Sequence, residues 1–250
     1  MATHCVVLPH ECADGAANMA FDEAMLDAVA ADPTRAYFRT YGWTTPTLSL
    51  GYFQRLAEAD IDPRWRLVPK VRRLTGGGAL WHHHEITYAL VLSREHTLAR
   101  DSKALYRAVH EAIASELRSE GIEAARRGND GAEGIDEPRP FLCFTGYDAE
   151  DIVSRGAKLV GSAQRRRAGA VLQHGALLLA RSPLTPALAG ANNLTPQPRE
   201  DGYWRERLER RVPAALGFLP TLGAPDLRLV ERAVELERSV YRCSAWNNRR

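Results

Sequence analysis

The chain has 250 residues, with 33 Lys and Arg against 31 Asp and Glu and a formal net charge of +2. Its 45% hydrophobic and 26% charged residues are the balance of a soluble globular protein, which excludes disordered and fibrous classes. The near-zero net charge excludes a protein that coats polyanions, so no nucleic-acid partner is expected, while a local basic face is still allowed. At roughly 150 residues per domain the length permits one large domain or two small ones. Four cysteines, Cys5, Cys12, Cys143 and Cys243, form no Cys-x-x-Cys pair, so neither a zinc knuckle nor a thioredoxin-type motif is expected. No run approaches the roughly 18 apolar residues of a membrane span. Residues 1–14 lack a basic stretch followed by an apolar one. The expectation is a cytoplasmic protein with no membrane partner, whose reduced thiols are available as nucleophiles.

In chain order, a first strand is predicted over 4–8. A helix follows, capped by Asn18, with Asp22 and Glu23 at its positive end and Ala20, Phe21, Ala24, Met25 and Ala28 as its apolar stripe. Asp32-Pro33 ends it. Residues 36–41 and 47–50 read as strands, the second closed by Gly51, and 67–71 as a short third. Residues 85–92 (EITYALVL) are β-forming and apolar almost throughout, which places them centrally in a sheet. An amphipathic helix is predicted over 101–120, with Leu105, Val109, Ala112, Ile113 and Leu117 on one face and Gly121 ending it. The polar, Gly- and Pro-rich stretch 126–140 reads as a mobile loop. Strands follow around 158–160 and 171–179, and the remainder reads as helical, over 203–215 and 226–242. Helices and strands mix without strict βαβα alternation, which predicts an α+β domain.

The most informative stretch is Arg72-Arg73-Leu74-Thr75-Gly76-Gly77-Gly78, continuing to His82-His83-His84-Glu85. Three glycines between two β segments let the backbone approach a ligand and expose several N–H donors. With two arginines beside them they suit a carboxylate, a phosphate or a thioester oxygen. A plain hairpin flanked by solvated charges fits the same residues. The stretch lacks the Lys-Ser/Thr of a P-loop and is not Gly-x-Gly-x-x-Gly. Alternate members of His82-His83-His84 face opposite sides of a strand, so at most two converge and no metal site is expected; one histidine lining a pocket beside the glycines is the better reading.

Between residues 151 and 181 six basic residues (Arg155, Lys158, Arg165, Arg166, Arg167, Arg181) stand against one acidic residue, a positive face suited to an acidic partner. Lys158 opens a β segment flanked by glycines, so its ammonium can point at a ligand; a solvated lysine is the alternative. Cys143 lies in an apolar island after the loop, the one cysteine near the informative segments, with Lys158 and the histidines as candidate activators of its thiol.

The order Asn18-Met19-Ala20-Phe21-Asp22-Glu23, Leu48-Ser49-Leu50-Gly51, Arg72-Arg73-Leu74-Thr75-Gly76-Gly77-Gly78 with Trp81-His82, Lys158-Leu159-Val160-Gly161-Ser162-Ala163-Gln164 and Gln173-His174-Gly175 is distinctive. It resembles the catalytic domain shared by lipoate-protein ligases, octanoyltransferases and biotin-protein ligases, over about residues 15–180. The resemblance implies a mixed β-sheet flanked by helices, and a single acyl-transfer domain over 1–250 with its motif core over 15–181 and a helical closing segment over 182–250. It also implies an acyl chain held in a tunnel. Arg72, Arg73, Gly76, Gly77, Gly78, His82, Gly161, Ser162, Ala163, His174 and Gly175 would bind substrate there, with Cys143 and Lys158 catalytic.

Members of this family attach an octanoyl or lipoyl group, or biotin, to a lysine of a carrier domain. Ligases use ATP and Mg²⁺; the transferases need no cofactor and take the octanoyl group from acyl carrier protein. Cys143-Phe144, fifteen residues before Lys158, and the Ser162–Arg165 run resemble the cysteine-using transferases. The implied partners are acyl carrier protein and lipoyl carrier domains, those of the glycine cleavage H protein or of 2-oxoacid dehydrogenase E2 subunits. An ATP-dependent ligase, an amidotransferase between carrier domains and a catalytically silent binding protein stay open as alternatives. Where the family often has His-Asp or His-Asn after the glycines, this chain has His82-His83-His84-Glu85, which leaves open which histidine faces the pocket.

Overall fold

The computed structural model describes residues 4–128 and 140–249. The first half runs β1 (His4–Val7), β2 (Glu11–Ala13), α1 (Gly15–Ala31), β3 (Tyr37–Trp43), β4 (Thr47–Leu50), α2 (Leu56–Ile61), β5 (Lys70–Arg72), β6 (Leu80–His82), β7 (Glu85–Ser93) and α3 (Ser102–Ser119). The second half runs β8 (Ala125–Arg126), β9 (Ile152–Ser154), β10 (Ala157–Arg167), β11 (Ala170–Leu178), α4 (Asp201–Ala215), β12 (Leu219–Leu222), α5 (Leu227–Leu236) and α6 (Ser244–Asn247). The loop expected over 126–140 falls largely outside the described residues.

Among the described residues nine strands form one mixed sheet in the order β12-β1-β3-β7-β11-β10-β9-β8, with β2 beside β3, and β5-β4-β6 form a second, smaller sheet. The fold is thus α+β, a mixed sheet flanked by helices. Strand β7 is buried along its whole length between β3 and β11. Its alternation explains the unbroken apolar run: Ile86, Tyr88, Leu90 and Leu92 join the core under α3 and α4, while Ala89 and Val91 join the core under α1 and α5. No helix among the described residues is long and apolar enough to cross a membrane.

Three elements differ from expectation for physical reasons. Helix α1 starts at Gly15, because Asp14 caps it by accepting from the Ala17 amide at 3.0 Å. Asn18 is therefore inside the helix and ties it to the sheet, donating to the carbonyls of Ala13 (3.1 Å) and Gly42 (2.9 Å). Asp22 and Glu23 sit buried in the middle of the helix rather than at its exposed end. Strand β10 continues through Arg165, Arg166 and Arg167 because a two-residue turn at Ala168 (φ 47°) and Gly169 (φ 82°) folds it against β11. The closing segment after residue 181 is not purely helical: β12 pairs in parallel with β1 at the sheet edge. Pro220 in that strand removes an amide donor, which an edge position tolerates and which hides the strand in the sequence.

Candidate active site

The glycine stretch links β5 to β6 and is held from behind by Arg73. This buried guanidinium donates to the carbonyls of Ser49 (2.8 Å), Gly76 (2.9 Å) and Gly78 (2.9 Å). Gly77 has φ of 89°, which a side chain disfavours, and a Cβ on Gly51 would lie 1.9 Å from the Gly77 carbonyl oxygen. Arg72 points the other way. Its guanidinium donates to the carbonyls of Gly51 (3.0 Å), Gln54 (2.7 Å) and Asn247 (2.9 Å), and it borders neither of the cavities described below. Both arginines thus bond backbone carbonyls, and Arg73, unlike Arg72, also borders the apolar cavity described below. The N–H groups of Gly76, Gly77 and Gly78 have no partner among the described residues.

Cys143 opens a short 3₁₀ turn packed on this loop. The Ala79 amide donates to the Phe141 carbonyl and the Cys143 amide to the Ala79 carbonyl, both at 2.7 Å. Lys158, on β10, reaches the same turn: Nζ lies 3.8 Å from Cys143 Sγ and donates to the carbonyls of Cys143 (3.0 Å) and Gly146 (3.3 Å). Asp151 pairs with it at 2.7 Å, both side chains being buried. Burial pushes the Asp151 carboxyl above its ordinary range, with Lys158 pulling the other way.

Two cavities meet at Cys143. One is lined mostly by apolar groups and glycines, and reaches Met19, Leu80, His82, Phe144, Gly161, His174 and Gly175. The other is a larger, more polar cleft that takes in Gly78, Tyr106, His110, Asp148, Asp151 and Lys158. Only Gly76, Gly77, Cys143, Ser162 and Ala163 border both, among the described residues.

His82 is the member of its triplet that faces the apolar cavity. It stacks on Trp43 with ring centroids 3.8 Å apart, and bonds Ser49 Oγ (2.7 Å) through Nε2 and Glu85 through Nδ1. Burial holds it below the ordinary histidine range, although Glu85 opposes this. His83 and His84 stack on each other outside that lining. His174 is held by the Asp22 carboxylate on Nδ1 (2.7 Å), and its Nε2 is hydrogen-bonded to the Thr75 hydroxyl (2.7 Å) next to the glycines. Burial works to raise Asp22, but Arg39 and His174 outweigh it and hold the carboxyl below the usual range. Among the described residues no three His, Cys, Asp or Glu side chains are placed to hold a metal ion.

The basic stretch is less open than its composition suggested. Lys158 is taken by Asp151, Arg167 by Glu23 (2.6 Å) and Asp27, and Arg166 donates to the Ala99 carbonyl at 2.5 Å. Charges brought from α1 and from the turn before β9 thus neutralise Lys158 and Arg167. Sequence reasoning missed Asp151, His110 and the pairing role of Asp22. Asp151 was visible as the one acid in that basic stretch, and His110 as a polar residue beside Val109 on the buried face of α3.

The lipoyl protein ligase A/B catalytic domain matches residues 14–204, and the chain belongs to that family. Within it, octanoyltransferase LipM of Kyrpidia tusciae is 39% identical over 171 residues, 66% of this chain and 62% of that protein. Octanoyltransferase LipM of Symbiobacterium thermophilum is 34% identical over 262 residues, 94% of this chain and 95% of that protein. The matches to the Kyrpidia, Macrococcus caseolyticus and Moorella thermoacetica proteins span 60–62% of those relatives' lengths. A lipoate-protein ligase A bound with ATP has a TM-score of 0.77 at 23% identity, covering 99% of each chain. A bipartite lipoate protein ligase from Thermoplasma acidophilum, described with its E2 lipoyl domain, has a TM-score of 0.74 at 21% identity, covering 99% of this chain and 97% of that one. At these identities the likeness is one of fold.

Proposed function

We propose that this chain transfers an octanoyl group from acyl carrier protein to the ε-amine of a lysine on a lipoyl carrier domain, through a thioester on Cys143. The observation that carries the reading is the place of Cys143, between an apolar cavity suited to an alkyl chain and a larger, more polar cleft suited to a long substrate arm. Lys158 Nζ, 3.8 Å from the sulfur, places a hydrogen-bond donor beside the attacking atom.

In the first half, Cys143 Sγ bonds to the acyl carbon, the donor C–S bond breaks and the carrier's thiolate leaves with the electron pair. The unpartnered N–H groups of Gly76 and Gly77 face the developing oxyanion, a role worth about 3–4 kcal/mol for a well-placed donor. In the second half, the acceptor amine bonds to the same carbon and the pair returns to Sγ. Thioester to thioester to amide needs no ATP. The acceptor is a lipoyl domain of the H-protein or E2 kind, consistent with the family to which the chain belongs.

The test is incubation with octanoyl-acyl carrier protein without ATP, followed by intact mass. One added octanoyl group is expected, absent in Cys143→Ser. Carrier modification that requires ATP and free acid, and that survives Cys143→Ser, would replace this reading with a ligase. No adduct and no turnover with either donor would leave a binding protein.

A further inference from the structure

Of the five residues that border both cavities, only Cys143 and Ser162 carry a side-chain heteroatom. Ser162 Oγ is set in a buried polar cluster: it bonds the Tyr88 hydroxyl from β7 and His110 Nε2 from α3 at 2.6 Å. The proton positions in this cluster follow from one acceptor. His110 Nδ1 lies 2.5 Å from the Glu150 carbonyl, which can only accept, so Nδ1 carries the hydrogen. Burial pushes His110 down to about 4, so the ring is neutral near pH 7 and Nε2 is a bare lone pair. Ser162 must then donate to Nε2, and the Tyr88 hydroxyl, which burial keeps protonated, donates to Ser162.

We propose that His110 is a positioning residue for the second half of the transfer: by accepting the hydrogen bond of the Ser162 hydroxyl, it leaves a lone pair of Oγ facing the acyl centre as an acceptor for an N–H of the incoming lysine amine. The inference rests on the proposed function and assigns a division of labour at the junction. Gly76 and Gly77 offer N–H donors to the oxyanion, whereas Ser162, its own proton turned away, offers a lone pair. Only an amine nucleophile uses that lone pair, since the thiolate of the first half has no N–H to give. The amine attacks as the free base; its C–N bond forms, the C–S bond breaks, and the surplus proton ends on Cys143 as the thiol. Lys158 is unsuited to the same task, because its hydrogens already point at two carbonyls and Asp151.

The experiment separates the two halves in single-turnover measurements. Acyl-enzyme formation from octanoyl-acyl carrier protein is followed by intact mass, and its decay on adding an unmodified lipoyl domain is followed in the same way. The His110→Phe variant, which fills the space but accepts no hydrogen bond, is expected to load normally and to pass its acyl group on about tenfold more slowly, the effect of one hydrogen bond. His110→Gln, whose amide can donate to Glu150 or accept from Ser162, is expected to recover part of that loss. The inference is overturned if His110→Phe transfers at the parent rate, if both halves slow together, or if His110→Gln behaves like His110→Phe. A parent protein that never loads would instead sink the proposed function.

Discussion

Around Cys143 the decisive quantity is a charge held in place. Lys158 is fixed by Asp151 and two carbonyls, so its ammonium is presented to the sulfur rather than free to wander. The cost is a carboxylate buried beside it, tolerable only while the pair is intact. Lys158→Met is therefore expected to abolish loading of Cys143 and also to destabilise the fold by about 3–5 kcal/mol near neutral pH. Asp151, raised already by burial, can shed its charge by taking a proton, so that destabilisation should shrink as the pH is lowered. Urea unfolding of parent and variant at two pH values checks this; an equal deficit at both would refute it. That Cys143 and Lys158 belong together was suggested by the family resemblance; that Asp151 pairs with Lys158 was not, because a residue's charge is visible in sequence and its partner is not.

At the scale of elements, the glycine loop owes its shape to neighbours on both sides. Gly51, at the end of β4, lets the Gly77 carbonyl come close, and Arg73 collects the carbonyls of Gly76 and Gly78. Helix α6 secures the base of the loop: the Trp246 indole donates to the Arg72 carbonyl at 3.0 Å, and Asn247 Oδ1 accepts from the Arg72 amide at 2.9 Å. Gly51→Ala would place a methyl against the Gly77 carbonyl, so it is expected to cost about 1–3 kcal/mol and to slow loading of Cys143. Thermal melting and the mass assay measure the two effects; an unshifted melt with normal loading would count against the tight approach. The glycine run itself was plain in the sequence. Its clamps were not, since Ser49 and Asn247 lie far away along the chain.

Across the whole molecule, the long sheet is covered on both faces, and several polar groups are buried with it. His110, held at about 4, is kept neutral by burial, and burial also holds His82 below its usual range. In the unfolded chain they titrate near about 6.5. Below that value the unfolded state takes up protons that the native state refuses, so stability falls as the pH drops. The His110 share is complete near its folded value of about 4 and amounts to about 3 kcal/mol. Asp22, held low by Arg39 and His174, adds a further loss at lower pH, while Asp151 works in the opposite direction. Urea unfolding between about pH 7 and about pH 5 should show a falling free energy; a flat or rising curve would contradict these assignments.

The sequence by itself determined what depends on short-range pattern. The β-forming, almost wholly apolar run over 85–92 and the helical stripe over 101–120 set a buried central strand and an amphipathic helix, and motif order set the family. Tertiary structure decided what depends on which segments meet. It turned Arg72 and Arg73 into clamps on carbonyls, selected His82 from its triplet, and drew Asp22 and His174 together across 152 positions. It paired β12 with β1 in a region that reads as helix and turn. The physical reason is the same in each case. Strand and helix preferences arise within a few residues, whereas a buried charge or an edge strand is stabilised only by partners the chain brings from far along its length.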